Sequence, residues 1–135
     1  MIQYNKLIPE LLVSNLKLSL EFYIKIAGFR IEYSRERPAF SFLSREGSQL
    51  MLEEIEPKDS WITDKLERPF GRGVNFQIEV SDADSLYKTF KNTAVRFFRN
   101  LEESTYKVDQ GTVRLKQFVI FDPDGYLLRF SQRIK

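Results

Sequence analysis

The chain has 135 residues, enough for one domain with a single core, and its 42% hydrophobic and 30% charged content is that of a globular rather than a disordered protein. It contains neither cysteine nor histidine, which excludes disulfides, thiolate chemistry, Ser-His-Asp and Cys-His units and the usual zinc, nickel and non-haem iron ligand sets. A net charge of +2, spread among acidic residues, argues against a nucleic-acid partner. No apolar run approaches the ~20 residues of a membrane span. The start, MIQYNKLIPELLV, lacks a basic region followed by a cleavage site, so a cytoplasmic protein is expected.

In chain order, residues 4–13 (YNKLIPELLV) read as a strand with a proline near its middle. A helix follows in NLKLSLEFYIKIAGF, with Leu16, Leu20, Tyr23, Ile24 and Ala27 on one face at the 3.6 period. Ser14 or Asn15 can cap its start, and Gly28 suits the left-handed position after its end. Three strand-like runs come next, FRIEYSRE, PAFSFLSRE and SQLMLEEIE, with a hairpin turn at Glu46-Gly47. Residues 56–72 contain two prolines and no long periodic run, as a connector does. GVNFQIEV then alternates apolar Val74, Phe76, Ile78 and Val80 with polar Asn75, Gln77 and Glu79, the pattern of a half-buried strand. A second helix is expected in SDADSLYKTFKNTA, with Ser81 and Asp84 as a capping box and Ala83, Leu86, Tyr87, Phe90 and Ala94 as its apolar face. The runs RFFRNLEESTYKV, TVRLKQFVIF and YLLRFSQRI complete the strands.

The order repeats, and the repeat has a register. Val13-Ser14-Asn15 matches Val80-Ser81-Asp82 at an offset of 67 residues, which also carries Leu16, Leu20, Tyr23 and Ala27 onto Ala83, Tyr87, Phe90 and Ala94. The last hairpins align at an offset of 78, with Glu46-Gly47 over Asp124-Gly125 and Met51 over Arg129. The expected fold class is therefore α+β, a single domain of two tandem βαβββ modules. Module one spans about 1–55, the connector about 56–72 and module two about 73–135.

ELLVSNLKLSLEFYIKIAGF, RPFGRGVNFQIEVSDADSLY and the closing FDPDGYLLRF, in this order and at these spacings, resemble the vicinal oxygen chelate superfamily, and within it the bleomycin-resistance and glyoxalase-like members. The resemblance covers nearly the whole chain. It implies two βαβββ modules whose curved mixed sheets enclose a cleft, often in a homodimer. Metal-dependent members hold a divalent ion at four positions, which fall here at Ile8, Met51, Asn75 and Arg129. These four are symmetry mates under the two offsets, yet their chemistry is wrong for a metal. Ile8 has no donor, Met51 offers a thioether, Asn75 one neutral oxygen, and Arg129 is a permanent cation.

The DPDG of the closing stretch fits a type I turn better than a calcium loop, because the position that would need a bidentate Glu is Arg133. Strand parity then assigns the cleft face. Ile8, Glu10 and Leu12 share it, as do Met51 and Glu53, then Asn75, Gln77 and Glu79, and then Leu127, Arg129 and Ser131. Leu7, Leu11 and Val13 belong to the opposite, helix-packed side. Phe40, Phe42, Trp61 and Phe118 are candidates for stacking on a flat ligand, with Trp61 also a candidate for a dimer interface.

The expected function is a metal-free, cofactor-free binding protein of the bleomycin-resistance type. It would sequester a neutral or anionic aromatic molecule in a homodimer cleft, with Glu10, Phe40, Phe42, Met51, Glu53, Trp61, Asn75, Gln77, Phe118 and Arg129 as ligand contacts. Two alternatives stand beside it. One is a metal-dependent lyase, isomerase or dioxygenase with Mg²⁺ or Mn²⁺ at Glu10, Glu53 and Glu79. The other is a non-catalytic dimerising domain.

Overall fold

The computed structural model describes residues 1–58 and 61–135. The chain divides into two compact units, Met1–Arg68 and Pro69–Lys135. The first contains β1 (Glu10–Val13), α1 (Leu16–Leu20), β2 (Arg30–Glu36), β3 (Ala39–Arg45) and β4 (Ser48–Glu54). The second contains β5 (Asn75–Glu79), α2 (Ala83–Lys91), β6 (Phe97–Val108), β7 (Gly111–Phe121) and β8 (Leu127–Ile134). Each unit is thus βαβββ, with an open four-stranded sheet ordered β1-β4-β3-β2 or β5-β8-β7-β6. The first strand of each unit pairs in parallel with the last, and the other pairings are antiparallel.

The repeat read from the helices holds in the strand registers. Glu10 lies opposite Met51 and Leu11 opposite Leu52 in the first sheet. At offsets of 67 and 78 these pairs become Gln77 opposite Arg129 and Ile78 opposite Phe130, the registers of the second sheet. The helix-facing sides are apolar and buried, with Leu11, Val13, Leu43, Leu50 and Leu52 in one unit and Ile78, Phe118, Ile120, Leu128 and Phe130 in the other. A parallel strand closed by a helical crossover needs such a face, because the helix lies on it.

Several local expectations are corrected. The first strand begins only at Glu10, because Pro9 has no N–H to give to a ladder. Pro9 contributes its carbonyl, which accepts from the Met51 N–H at 2.9 Å. Leu7, assigned to the helix side, lies outside the strand and is 85% exposed. The first helix is α-helical only to Leu20 and continues as a π-helical stretch, Glu21–Ile26. The wider turn changes which residues face inward: Ser19, Phe22 and Tyr23 are buried, whereas Leu20 and Ile24 are half-buried.

Asn15 caps this helix, its Oδ1 accepting from the Leu18 N–H at 3.1 Å. The second helix is capped by Asp82 rather than by a Ser81–Asp84 box, with Asp82 Oδ1 accepting from the Ser85 N–H at 3.0 Å. It ends at Lys91, so Ala94 is outside it and exposed.

Candidate functional site

Once a helix covers one side of each sheet, the other side is the surface left for chemistry. In the second unit that side holds a pocket of about 280 Å³. Asn75 of β5 and Leu127 and Arg129 of β8 form one wall; β7 supplies Gln117 and Val119; β6 supplies Phe98, Arg99, Glu102 and Tyr106. The pairing explains the convergence. Arg129 lies opposite Val119 and Ser131 opposite Gln117, while Arg99 and Glu102 lie opposite Val119 and Gln117. Residues opposite one another in an antiparallel ladder share a face, so a single parity across three strands builds the floor. The register slips twice between Phe97 and Glu102, as at a β-bulge, which re-aims side chains along the strand.

Arg129 is fixed from one side. Its Nη2 donates to Gln77 Oε1, while its Nε is buried without a partner. The carboxylate two positions along β5, Glu79, lies 3.9 Å from Arg133, and Arg129 lines the pocket. Gln117 Nε2 donates to the Tyr106 hydroxyl at 2.5 Å, and Gln117 Oε1 is buried without a partner. Ser131 Oγ, on the same face opposite Gln117, is likewise unpartnered. Gln117 and Ser131 are 5% and 1% exposed. Three of the four buried unpartnered side-chain atoms found among the described residues therefore sit on this face, the fourth being Ser19 Oγ on the first helix.

The equivalent face of the first unit carries Glu10, Met51, Glu53, Phe40 and Phe42, brought together by the pairs Glu10–Met51, Phe42–Met51 and Phe40–Glu53. Phe40 and Phe42 face the assigned side but are 1% exposed. Tyr33 stacks on Phe42 at 5.4 Å with an interplanar angle of 10°, Tyr4 meets its edge at 5.4 Å, and the Arg35 guanidinium lies 4.0 Å over Phe40. Tyr4, Tyr33 and Arg35, not the two phenylalanines, thus form the outward layer, which corrects the stacking role given to Phe40 and Phe42.

Glu10 has its carboxyl held above the usual range, first by burial and then by the charge of Glu53, with Arg35 opposing. The folded chain therefore keeps this proton to higher pH than the unfolded chain. The associated stability is fully present below the ordinary carboxylate pKa and is lost as pH rises through the raised value. Glu10→Gln, which cannot ionise, is expected to melt at a higher temperature than the wild type at about pH 7, with the gap closing towards about pH 4. A gap that stays constant or reverses sign across that range contradicts the assignment.

Phe118 is a second correction. It is fully buried on the helix side, with ring centroids 5.4 Å from Tyr87, 5.8 Å from Phe90 and 5.5 Å from Phe130, and it cannot reach a ligand on the opposite face. Trp61 is 79% exposed in a segment without strand or helix. Phe98, Arg99, Glu102, Tyr106 and Gln117 were not singled out from the sequence. For Gln117 the signal was present: β3 and β7 correspond at an offset of 77, so the mates of Phe40 and Phe42 are Gln117 and Val119.

The superfamily's metal does not fit the residues that occupy its positions. Ile8 and Met51 bring no hard donor in the first unit. In the second, the Arg129 guanidinium stands beside Asn75, where a divalent ion would meet a fixed positive charge. Among the described residues no group of three or more acidic side chains that could hold a metal ion occurs. The DPDG carboxylate is otherwise employed, as Asp122 Oδ1 accepts the N–H groups of Asp124 and Tyr126, both at 2.9 Å. No helix is long and apolar enough to cross a membrane among the described residues.

Comparison with known proteins agrees with this architecture. Residues 7–130 match the sequence pattern of the glyoxalase/bleomycin resistance protein/dioxygenase superfamily. A superfamily member from Vibrio splendidus 12B01 shares 34% identity, with 93% of this chain and 95% of that one covered and a TM-score of 0.43. A glyoxalase/bleomycin resistance protein/dioxygenase from Alicyclobacillus acidocaldarius shares 19% identity over 97% and 92% of the two chains, with a TM-score of 0.64. TioX from Micromonospora sp. ML1 shares 15% over 97% and 100%, with a TM-score of 0.71. No curated protein sequence matches. With the tandem βαβββ fold and a family match spanning nearly its whole length, the chain belongs to the glyoxalase/bleomycin resistance protein/dioxygenase superfamily.

Proposed function

We propose that the protein binds a small molecule without the help of a metal ion, and that the ligand occupies the pocket of the second unit. The observation that carries this reading is the pair of unpartnered polar atoms on lining residues, Arg129 Nε and Gln117 Oε1, with unpartnered Ser131 Oγ opposite Gln117 on the same sheet face. Leaving a buried donor or acceptor unsatisfied costs about 1–3 kcal/mol, and a ligand that supplies the partners recovers that cost on binding. Such groups cluster at sites that do something besides hold the fold.

Size and charge narrow the ligand. A volume of about 280 Å³ is at the lower end of ligand pockets, which run to roughly 300–1,000 Å³, so it suits a molecule of one ring rather than a peptide-sized drug. Arg99 and Arg129 outnumber Glu102 around it, which favours a neutral or anionic ligand. Phe98 and Tyr106 supply flat apolar surface. Bleomycin is large and cationic, and calorimetry is expected to show no nanomolar binding of it.

The test is a titration of isotopically labelled full-length protein with single-ring aryl carboxylates and aryl amides. Resonances of Asn75, Phe98 and Gln117 should move together, and Phe98→Ala should weaken the best aryl probe by about 3–10-fold. Shifts confined to other residues, or no saturable binding by any probe, would sink the pocket reading.

A further inference from the structure

The floor of the pocket holds two kinds of unmet need at fixed places. Arg129 Nε is a donor attached to a permanent cation; Gln117 Oε1 is an acceptor. Both side chains line the pocket. Gln117 is opposite Ser131, and Arg129 is opposite Val119, so the two lie diagonally across neighbouring strands, about 7–8 Å apart at the backbone. The two atoms are not bonded to each other. Arg129 is tied to Gln77 and Gln117 to Tyr106. A carboxylate alone cannot serve both either, since it only accepts and Gln117 Oε1 asks for a donor.

We propose that the pocket selects a single-ring carboxylate that also carries a hydroxyl or N–H donor on the far side of the ring edge from the carboxylate. The carboxylate oxygen accepts from Arg129 Nε, with Arg99 of β6, two strands away in the same sheet, adding a second positive charge, and the donor reaches Gln117 Oε1. Arg99 stands against its own neighbour Phe98 at 5.5 Å, which leaves the apolar ring of the ligand to lie on the Phe98 and Val119 side. Ser131 Oγ, opposite Gln117, can both donate and accept and backs the donor end. An ortho-hydroxy acid is disfavoured, because its hydroxyl is already bonded to its own carboxylate. This inference rests on the pocket reading above and adds to it a two-point chemical filter.

The experiment measures dissociation constants of the full-length protein for 3-hydroxybenzoate, 4-hydroxybenzoate, their methyl ethers, benzoate and 3-hydroxybenzamide. At least one hydroxybenzoate should bind about tenfold tighter than its methyl ether and than benzoate, because the ethers leave Gln117 Oε1 without a donor. The same acid should bind about tenfold or more tighter than 3-hydroxybenzamide, which lacks the charge. Two variants separate the points. Gln117→Met is expected to erase the preference for hydroxyl over methoxy while keeping the preference for acid over amide. Arg129→Gln should do the reverse. Where a variant fails to fold, the wild-type ranking alone decides.

Ethers matching the free hydroxyls, or the amide matching the acid, overturns the two-point filter while leaving a ligand pocket in place. Failure of every probe to bind at the pocket residues overturns the pocket itself, and the filter with it.

Discussion

Phe118→Ala is expected to destabilise the protein by about 3–5 kcal/mol, the usual cost of removing a large aromatic side chain from a closed core. Phe118 has no exposed surface. Its ring meets Tyr87 and Phe90 of α2, Phe130 of β8 and Phe97 of β6, with centroids between 5.4 and 6.1 Å. Aromatic pairs at such separations add to the stability given by area alone. Chemical denaturation followed by circular dichroism gives the number directly. Phe98→Ala is the matched control, since Phe98 lines the pocket and is 51% exposed. It should change stability by no more than about 0.5 kcal/mol while weakening aryl ligands. If Phe118→Ala kept its stability and lost only ligand binding, the placement of this ring under the helix would be wrong.

The contrast between these two phenylalanines shows what strand parity can deliver. The alternation in GVNFQIEV assigns Asn75, Gln77 and Glu79 to one side because each strand residue turns its side chain opposite to the next. The duplication then fixes register across strands that the alternation alone cannot relate. Glu10 beside Met51 and Gln77 beside Arg129 follow from two offsets counted in the sequence. The side on which Phe118 lies follows only from a third offset, 77, between β3 and β7. The mate of Phe118 in the first unit is Ser41, which faces the helix, and the pocket positions are one residue to either side of it.

Other features were not legible, for separable physical reasons. The π-helical stretch at Glu21–Ile26 breaks the 3.6 period on which a helix face is counted, and nothing in the composition of EFYIKI forces that break. The contributions of β6 depend on two register slips between Phe97 and Glu102. β6 has 12 residues where its counterpart β2 has 7, so the duplication offers no template for Arg99, Glu102 or Tyr106. The hidden state of Phe40 and Phe42 depends on Tyr33 and Arg35 of β2 folding over them, a packing choice that no pattern of spacing records. What sequence did expose was the argument against the metal. That argument needs only the residue types at Ile8, Met51, Asn75 and Arg129.

Gly125→Ala is expected to cost about 2–6 kcal/mol, the sum of a left-handed backbone penalty and an unrelieved overlap. Gly125 has φ +98, and a Cβ there would stand 2.5 Å from both Cα and Cβ of Pro69 and 3.1 Å from the Phe70 nitrogen. Pro69 cannot retreat freely, because the Phe70 N–H donates to the Asp124 carbonyl at 2.9 Å and the Phe70 ring packs on Tyr126 at 5.9 Å. The turn is closed as a type I turn by the Gly125 N–H donating to the Asp122 carbonyl at 3.0 Å, and Asp122 Oδ1 holds two further backbone N–H groups. Gly47 occupies the repeat-related turn with φ +89, but no atom lies within 4 Å of its Cβ position. Gly47→Ala should therefore cost only about 1–2 kcal/mol, the backbone term alone. The difference between the two variants, read from paired denaturation curves, isolates the packing of the DPDG turn against Pro69–Phe70; equal losses would show that this contact contributes nothing. The same turn sets where β8 begins, so a chain that cannot close it also misplaces Arg129, and ligand affinity in Gly125→Ala should fall with stability while Gly47→Ala leaves affinity unchanged.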